Sequence, residues 1–185
     1  MKKSGKLRII GGQWRRRNIR FPVVPGLRPT PDRARETLFN WLMNHLDGKT
    51  CLDLFAGSGA LGFEAASRGA VRVVMVESNR KSVQSLLKNR ELLHAQSQVD
   101  IVHGQALNHL SLTPVKYDLV FMDPPFEQAL IGPACQALVR YPVLKDPAWI
   151  YIESPISNHP LPIPATWNII RESRCGMAQL TLAET

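Results

Sequence analysis

The sequence predicts an α/β fold, a doubly wound sheet preceded by a small β extension and a leading helix. Three observations predict it. From Thr50 onward, short apolar runs alternate with segments of helical periodicity, the pattern of repeated strand–helix–strand units. A glycine-rich turn, Gly57-Ser58-Gly59-Ala60-Leu61-Gly62, separates the first of those strands from its helix. The positive charge is gathered ahead of this body, where apolar and basic residues alternate around Gly11-Gly12 in the manner of a small twisted β unit.

In chain order, Arg28-Pro29-Thr30-Pro31 reads as a stop followed by a start. Thr30 is the expected N-cap and Pro31 the first helical residue, and Ala34, Leu38, Leu42 and Leu46 then recur at helical spacing, so a helix is expected from about Pro31 to Leu46. Asp47-Gly48 ends it. The body then reads as strand Thr50 to Phe55, helix Ala60 to Arg68, strand Arg72 to Val76, helix Arg80 to Leu93, strand Val99 to His103, strand Tyr117 to Met122, helix Gln128 to Arg140 and strand Trp149 to Glu153. Two closing strands, Trp167 to Glu172 and Met177 to Leu182, flank Cys175-Gly176 and should pair antiparallel. The division expected is a basic β extension over 1–28 and a catalytic body with its leading helix over 29–185.

A chain of 185 residues can bury a continuous core as one domain, and its apolar runs are too short to cross a bilayer. The basic start has no apolar core of a secretory signal, so the expected compartment is the cytoplasm. Three widely spaced cysteines, Cys51, Cys135 and Cys175, fit neither a disulfide framework nor a zinc site, and no histidine pair shows metal-ligand spacing. No metal and no membrane partner are expected, and the chain is read as a monomer.

Charge locates the partner. Residues 1–36 carry a net charge of +9, whereas the remainder carries −1. A near-neutral body with a cationic front suggests a polyanion, foremost a nucleic acid. The candidate contacts are Arg8, Arg15, Arg16, Arg17 and Arg20 in the extension and Arg28, Arg33 and Arg35 around the start of the first helix. Arginine offers a planar fork suited to phosphate, which a solubility tail would not need. A salt link from this last group to Asp32 or Glu36 competes with phosphate contact. Trp14, set among arginines, reads equally as packing or as a stacking platform.

Gly57, Gly59 and Gly62 satisfy the dinucleotide-turn spacing, with Glu77 ending the next strand 20 residues after Gly57. Two features argue against a nicotinamide dinucleotide. Asp53 lies inside the strand, where a carboxylate suits an ammonium group and does nothing for a pyrophosphate. The fourth body strand ends in Asp123-Pro124-Pro125-Phe126, for which hydride transfer has no evident use. S-adenosylmethionine has an ammonium, a ribose diol and an adenine but no phosphate. It matches Asp53, close backbone approach at Gly57 and Gly59 beside Phe55, and Glu77 with Ser78 at the diol. The adenine is then expected near Gln105 and Ala106, where Gln105 reads either as an adenine-edge partner or as an ordinary exposed loop residue.

The two prolines leave free carbonyls at the strand's end and stiffen the backbone. Asp123 and the Pro124 carbonyl would accept hydrogen bonds from an aromatic amine and orient its lone pair, and Phe126 would stack on the unstacked base.

These residues resemble a known family. Asp53-Leu54-Phe55-Ala56-Gly57-Ser58-Gly59 with Glu77 looks like the cofactor half of class I methyltransferases, and Asp123-Pro124-Pro125-Phe126 is similar to the motif of those that methylate exocyclic amines of bases. Arg8-Ile9-Ile10-Gly11-Gly12-Gln13-Trp14-Arg15 and the run from Arg28 to Asn40 resemble, more narrowly, the bacterial enzymes that methylate N2 of guanine 966 in 16S ribosomal RNA. The resemblance spans nearly the whole chain. It implies a seven-stranded class I fold, S-adenosylhomocysteine as product, and a substrate presented in the assembling small ribosomal subunit. Gln105 departs from the pattern, since the wider class often has an acid there, and so does the short end after Leu182. The rival activities are a DNA adenine-N6 methyltransferase and a non-catalytic RNA-binding protein with a vestigial cofactor fold.

Overall fold

The computed structural model describes residues 4–125, 129–157 and 159–185. Phe126 and the expected helix start at Gln128 therefore lie outside the described residues. The extension is an antiparallel pair, β1 (Ser4–Arg8) and β2 (Asn18–Pro22), forming a two-stranded sheet of its own. Its inward positions Leu7, Ile19 and Phe21, together with Ile9 and Trp14, are buried in the same apolar cluster as the body. Trp14 is thus packing, not a stacking platform.

The body is a seven-stranded sheet of order β5-β4-β3-β6-β7-β9-β8, formed by β3 (Thr50–Asp53), β4 (Arg72–Glu77), β5 (Val99–His103), β6 (Tyr117–Met122), β7 (Leu144–Pro155), β8 (Asn168–Cys175) and β9 (Ala178–Glu184). Strands β3 to β7 pair in parallel, and β9 runs antiparallel between β7 and β8. This is the doubly wound, seven-stranded class I arrangement that the resemblance implied. The order reverses between β3 and β6, and the crevice outside the carboxyl ends of strands at such a reversal is where ligands bind in open α/β sheets.

Helices cover both faces, so the central strands read as nearly unbroken apolar runs. On one face α1 (Asp32–Trp41), α2 (Ala60–Ser67) and α3 (Arg80–Leu92) pack Leu38, Phe63 and Leu86 against Cys51, Met75, Phe121 and Tyr151. On the other, α4 (Ala106–Leu112) and α5 (Ile131–Arg140) pack Leu110 and Leu138 against Val74, Val120 and Ile152. Each large side chain so buried contributes roughly 1.5–3 kcal/mol.

The leading helix is shorter than its periodicity suggested. It closes at Trp41, after which Asn44 takes a positive φ, while Leu42 and Leu46 remain buried beneath the turn. Thr30 does not cap it. The cap position is Pro31, without a side-chain bond, because the Thr30 hydroxyl is used elsewhere. Helix α4 was not expected; its seven residues bury only Ala106 and Leu110, too little apolar repeat to declare a helix. Strand β7 runs further in both directions than Trp149 to Glu153. No helix among the described residues is long and apolar enough to cross a membrane.

Candidate active site at the sheet's carboxyl edge

Four strands deliver four carboxylates to one edge. Asp53 ends β3, Glu77 ends β4, Asp123 follows β6, and Glu153 lies near the end of β7. Asp53 is in register with Met75 and with Phe121. Met122 is in register with Ile152, so Asp123 and Glu153 come next, side by side. With a period of two along each strand, all four belong to the face that holds Cys51, Met75, Phe121 and Tyr151.

The glycine turn is built for close approach. Gly57 and Gly59 take φ of +50° and +79°, which side chains rarely adopt, and a Cβ at Gly59 would stand 2.6 Å from Leu86 and 2.7 Å from Phe63. Above the turn, Leu27 comes within 4.0 Å of where a Cβ of Gly57 would be. The Gly57 N–H donates to Glu77 Oε2 at 2.8 Å, and the Asn79 N–H donates to Glu77 Oε1 at 2.6 Å. This detail decides between cofactors. The amide that would meet a pyrophosphate in a dinucleotide site is committed to a carboxylate, whose charge repels phosphate. A fixed carboxylate with free lone pairs instead suits a ribose diol.

Asp53 is 2% exposed, and its Oδ2 accepts from the Gly62 N–H at 3.0 Å, tying β3 to the first turn of α2. Burial pushes its carboxyl up to about 7; the Gly62 donor opposes the shift, and the charges of Asp123 and Glu77 add to it. An arriving ammonium would reverse that shift by stabilising the ionised form. Phe55 is half-buried beside the second core cluster. Ser78 is exposed, its carbonyl 3.2 Å from His103 Nε2. Gln105 is exposed at the N-cap of α4 without a side-chain capping bond, and Ala106 is the buried first residue of that helix.

Asp123 is half-buried, and its Oδ2 accepts from the Thr30 hydroxyl at 2.9 Å. Burial raises its carboxyl above the usual range, against the stabilising Thr30 donor. Glu153 is 5% exposed, and its Oε2 accepts from the Tyr151 hydroxyl at 3.2 Å. Burial, then the charge of Asp123, raises it further. Pro124 is buried, and with Pro125 it lines a cavity of about 630 Å³ that also meets Ser154, Arg174, Gln179 and Thr181.

Of the arginines expected to meet a polyanion, Arg8, Arg15, Arg16, Arg17, Arg20, Arg28 and Arg33 are exposed, although the Arg17 guanidinium donates to the Leu92 carbonyl. Arg35 corrects the expectation. Its side chain is wholly buried, paired with Asp32 at 2.6 Å and Glu64 at 3.4 Å, and bonded to the Arg8 carbonyl at 3.0 Å, so it braces the fold and touches no phosphate. A groove of about 450 Å³ lined by Lys6, Arg8, Asn18, Thr30 and Asp32 connects the extension to the residue that holds Asp123.

Sequence reasoning missed Glu153, Glu64 and the role of Thr30. Glu153 had one available signal: an acid closing an apolar strand, the same mark that singled out Glu77. Among the described residues no group of three or more His, Cys, Asp or Glu is placed to hold a metal ion.

A family model described as Conserved hypothetical protein 95 matches residues 7–184. Ribosomal RNA small subunit methyltransferase D of Escherichia coli (strain K12) is 44% identical over 179 residues, covering 97% of this chain and 90% of that protein. The Haemophilus influenzae protein of the same name is 40% identical over 182 residues, covering 97% and 94%. A solved structure from Escherichia coli aligns with a TM-score of 0.88 at 43% identity, covering 97% of this chain and 98% of that one. One from Haemophilus influenzae aligns with a TM-score of 0.82 at 37% identity, with the same coverage.

Proposed function

The chain belongs to the Conserved hypothetical protein 95 family, that of ribosomal RNA small subunit methyltransferase D, and from that premise we propose that it methylates the exocyclic N2 amine of a guanine, the counterpart of guanine 966, in 16S ribosomal RNA. The observation that carries this reading is the placement of Asp123, pinned by Thr30 at the end of β6, one strand from the glycine turn and Asp53.

S-adenosylmethionine, when bound, supplies an electrophilic methyl on a sulfonium. Glu77, oriented by the Gly57 and Asn79 amides, is suited to the ribose diol, and Asp53 to the ammonium. Phe55, Gly59, Ser78, Gln105 and Ala106 flank the same edge. A guanine amine is a weak nucleophile, because its lone pair is delocalised into the ring. Asp123 and the Pro124 carbonyl accept its N–H bonds, turn the lone pair out of conjugation and stabilise the positive charge that develops on nitrogen. As the new N–C bond forms, the methyl's bond to sulfur would break with its electron pair left on sulfur, the nitrogen would become cationic, and one of its protons would then pass to Asp123 and on to solvent. The arginines of β1, β2 and the turn between them hold the phosphate backbone, and the 450 Å³ groove leads from them toward Asp123.

Labelled methyl transfer into small-subunit particles, naked 16S ribosomal RNA and DNA tests the reading, with mass analysis of the modified nucleoside. N2-methylguanosine from particles or RNA is expected. Methylated adenine from DNA would overturn the assignment, and no transfer to any of them would favour a binding protein. A second expectation concerns the front. Changing Arg15, Arg16 and Arg17 to Glu should weaken RNA binding and reduce the slope of log affinity against log salt by up to about three, one phosphate contact per arginine. Unchanged affinity in a salt titration would make that stretch a solvated loop only.

A further inference from the structure

Outside the assigned cofactor residues, one group of buried polar side chains is unexplained: Thr30, Tyr151 and Glu153 around Asp123. Thr30 was expected to cap α1, yet it is 7% exposed and donates to Asp123 Oδ2 at 2.9 Å. Glu153 is 5% exposed and stands beside Asp123 in the parallel register that continues from Met122 and Ile152. Two adjacent carboxylates withdrawn from water do not both ionise readily; they hold one proton between them.

We propose that Thr30 and Glu153 are positioning residues for the methyl acceptor: Thr30 fixes Asp123 Oδ2, and Glu153 keeps the proton the pair shares, so that Asp123 is the ionised member and presents Oδ1 to the guanine amine. The proposal rests on the guanine-methylating reading above. Among the described residues the Thr30 hydroxyl is the one donor bonded to Asp123, and it reaches Oδ2. The Tyr151 hydroxyl bonds Glu153 Oε2 from the same strand. The other charges facing the pair are Asp53 from β3, which is coupled in turn to Glu77, and Arg28 from the front segment, which acts on Glu153; Cys175 of β8 acts on Tyr151. Burial raises both acids, and the charge of Asp123 adds to the shift of Glu153, which makes Glu153 the proton holder.

The two neighbours act on Asp123 differently, Thr30 by its hydrogen bond and Glu153 by keeping the proton, and this makes the proposal testable. The Thr30 hydroxyl stabilises the ionised form, so Thr30→Val should move the acid limb of the kcat profile upward by about one pH unit, and Thr30→Ser should restore it. Glu153→Gln imitates the protonated, uncharged Glu153 at nearly the same volume, so the acid limb should stay within about 0.3 units of the parent's, while the second step of the Asp123 titration disappears. Each limb is read against that variant's own plateau. In the unsubstituted protein without cofactor or RNA, carbon NMR of the Asp123 carboxyl should show a two-step titration, the second step tracking Glu153. A single-step Asp123 titration in the unsubstituted protein, a Thr30→Val limb that stays in place, or a Glu153→Gln limb that moves downward by about one unit would overturn the proposal. Its failure is distinguishable from failure of the function itself: in the latter case N2-methylguanosine does not form, whatever Asp123 titrates with.

Discussion

Asp123→Ala should reduce kcat by on the order of 10³-fold, while affinity for S-adenosylmethionine stays within a few-fold of the parent. In the proposed reading the carboxylate is the charged acceptor at the end of β6, and alanine removes both its bond to the amine and its stabilisation of the cationic nitrogen. The proposed cofactor contacts stand on β3 and β4, held by their own bonds, Gly62 to Asp53 and Gly57 and Asn79 to Glu77, none of which involves Asp123. Asp123→Asn separates geometry from charge. The amide keeps a carbonyl acceptor, so its rate should fall between parent and alanine, about 10²-fold down. Folding should survive both changes, because removing one of several crowded acids relieves repulsion, and the Thr30 hydroxyl left without its partner costs about 1 kcal/mol. Single-turnover methylation at saturating cofactor gives the rate, and calorimetric titration gives the affinity. An alanine variant with parental turnover would refute the role assigned to Asp123.

The strand–turn–strand arrangement behind the proposed cofactor edge was legible in the sequence because it is local. Gly57, Gly59, Asp53 and Glu77 lie within 25 residues, and β5 falls on Val99–His103 as its apolar run indicated. Features that depend on distant partners were not legible. Arg35 belongs by composition to the basic front, but Glu64, 29 residues later, draws it into the core. Thr30 satisfies the local rule for a helix cap, yet Asp123, 93 residues away, takes its hydroxyl. Glu153 carried the mark of an acid closing an apolar strand, but its place beside Asp123 follows only once β6 and β7 are known to be neighbours in register. Periodicity reports which side of an element is apolar, and it is silent on which buried polar atoms will meet. The alternation of Leu7, Ile9, Trp14, Ile19 and Phe21 with basic residues indicated a small twisted β unit but was silent on what it packs against, and the structure places these residues in one cluster with the body.

That shared cluster is closed by a single carboxylate, from which the largest effect on stability is expected. Glu64 of α2 is wholly buried and accepts four donors: the Ile10 N–H at 2.8 Å, the Gly11 N–H at 2.7 Å, Arg68 Nε at 2.7 Å and Arg35 Nη1 at 3.4 Å. It fastens the extension, the leading helix and the cofactor helix together. Glu64→Ala would leave two backbone donors unpaired and the buried Arg35 charge without its carboxylate on α2. Breaking a buried pair in this way costs about 3–5 kcal/mol, a large share of the roughly 5–15 kcal/mol available to a domain. For a chain of this size the midpoint of thermal unfolding should fall by on the order of 10 °C. Arg68→Ala is the control. It removes a partly exposed partner of the same carboxylate, with 24% of its side chain accessible, and should cost about 1 kcal/mol or less. Glu64→Gln should fall between them, since it keeps one acceptor oxygen but turns an NH₂ group toward donors. Below the unfolding midpoint, Glu64→Ala should also weaken RNA binding more than cofactor binding, because the extension depends on Glu64 for two backbone anchors whereas the Gly57 to Glu77 bond does not. Thermal and urea unfolding of the three variants checks the order. A Glu64→Ala midpoint within about 2 °C of the parent, less than 1 kcal/mol for a chain of this length, would mean that the apolar cluster alone holds the extension in place.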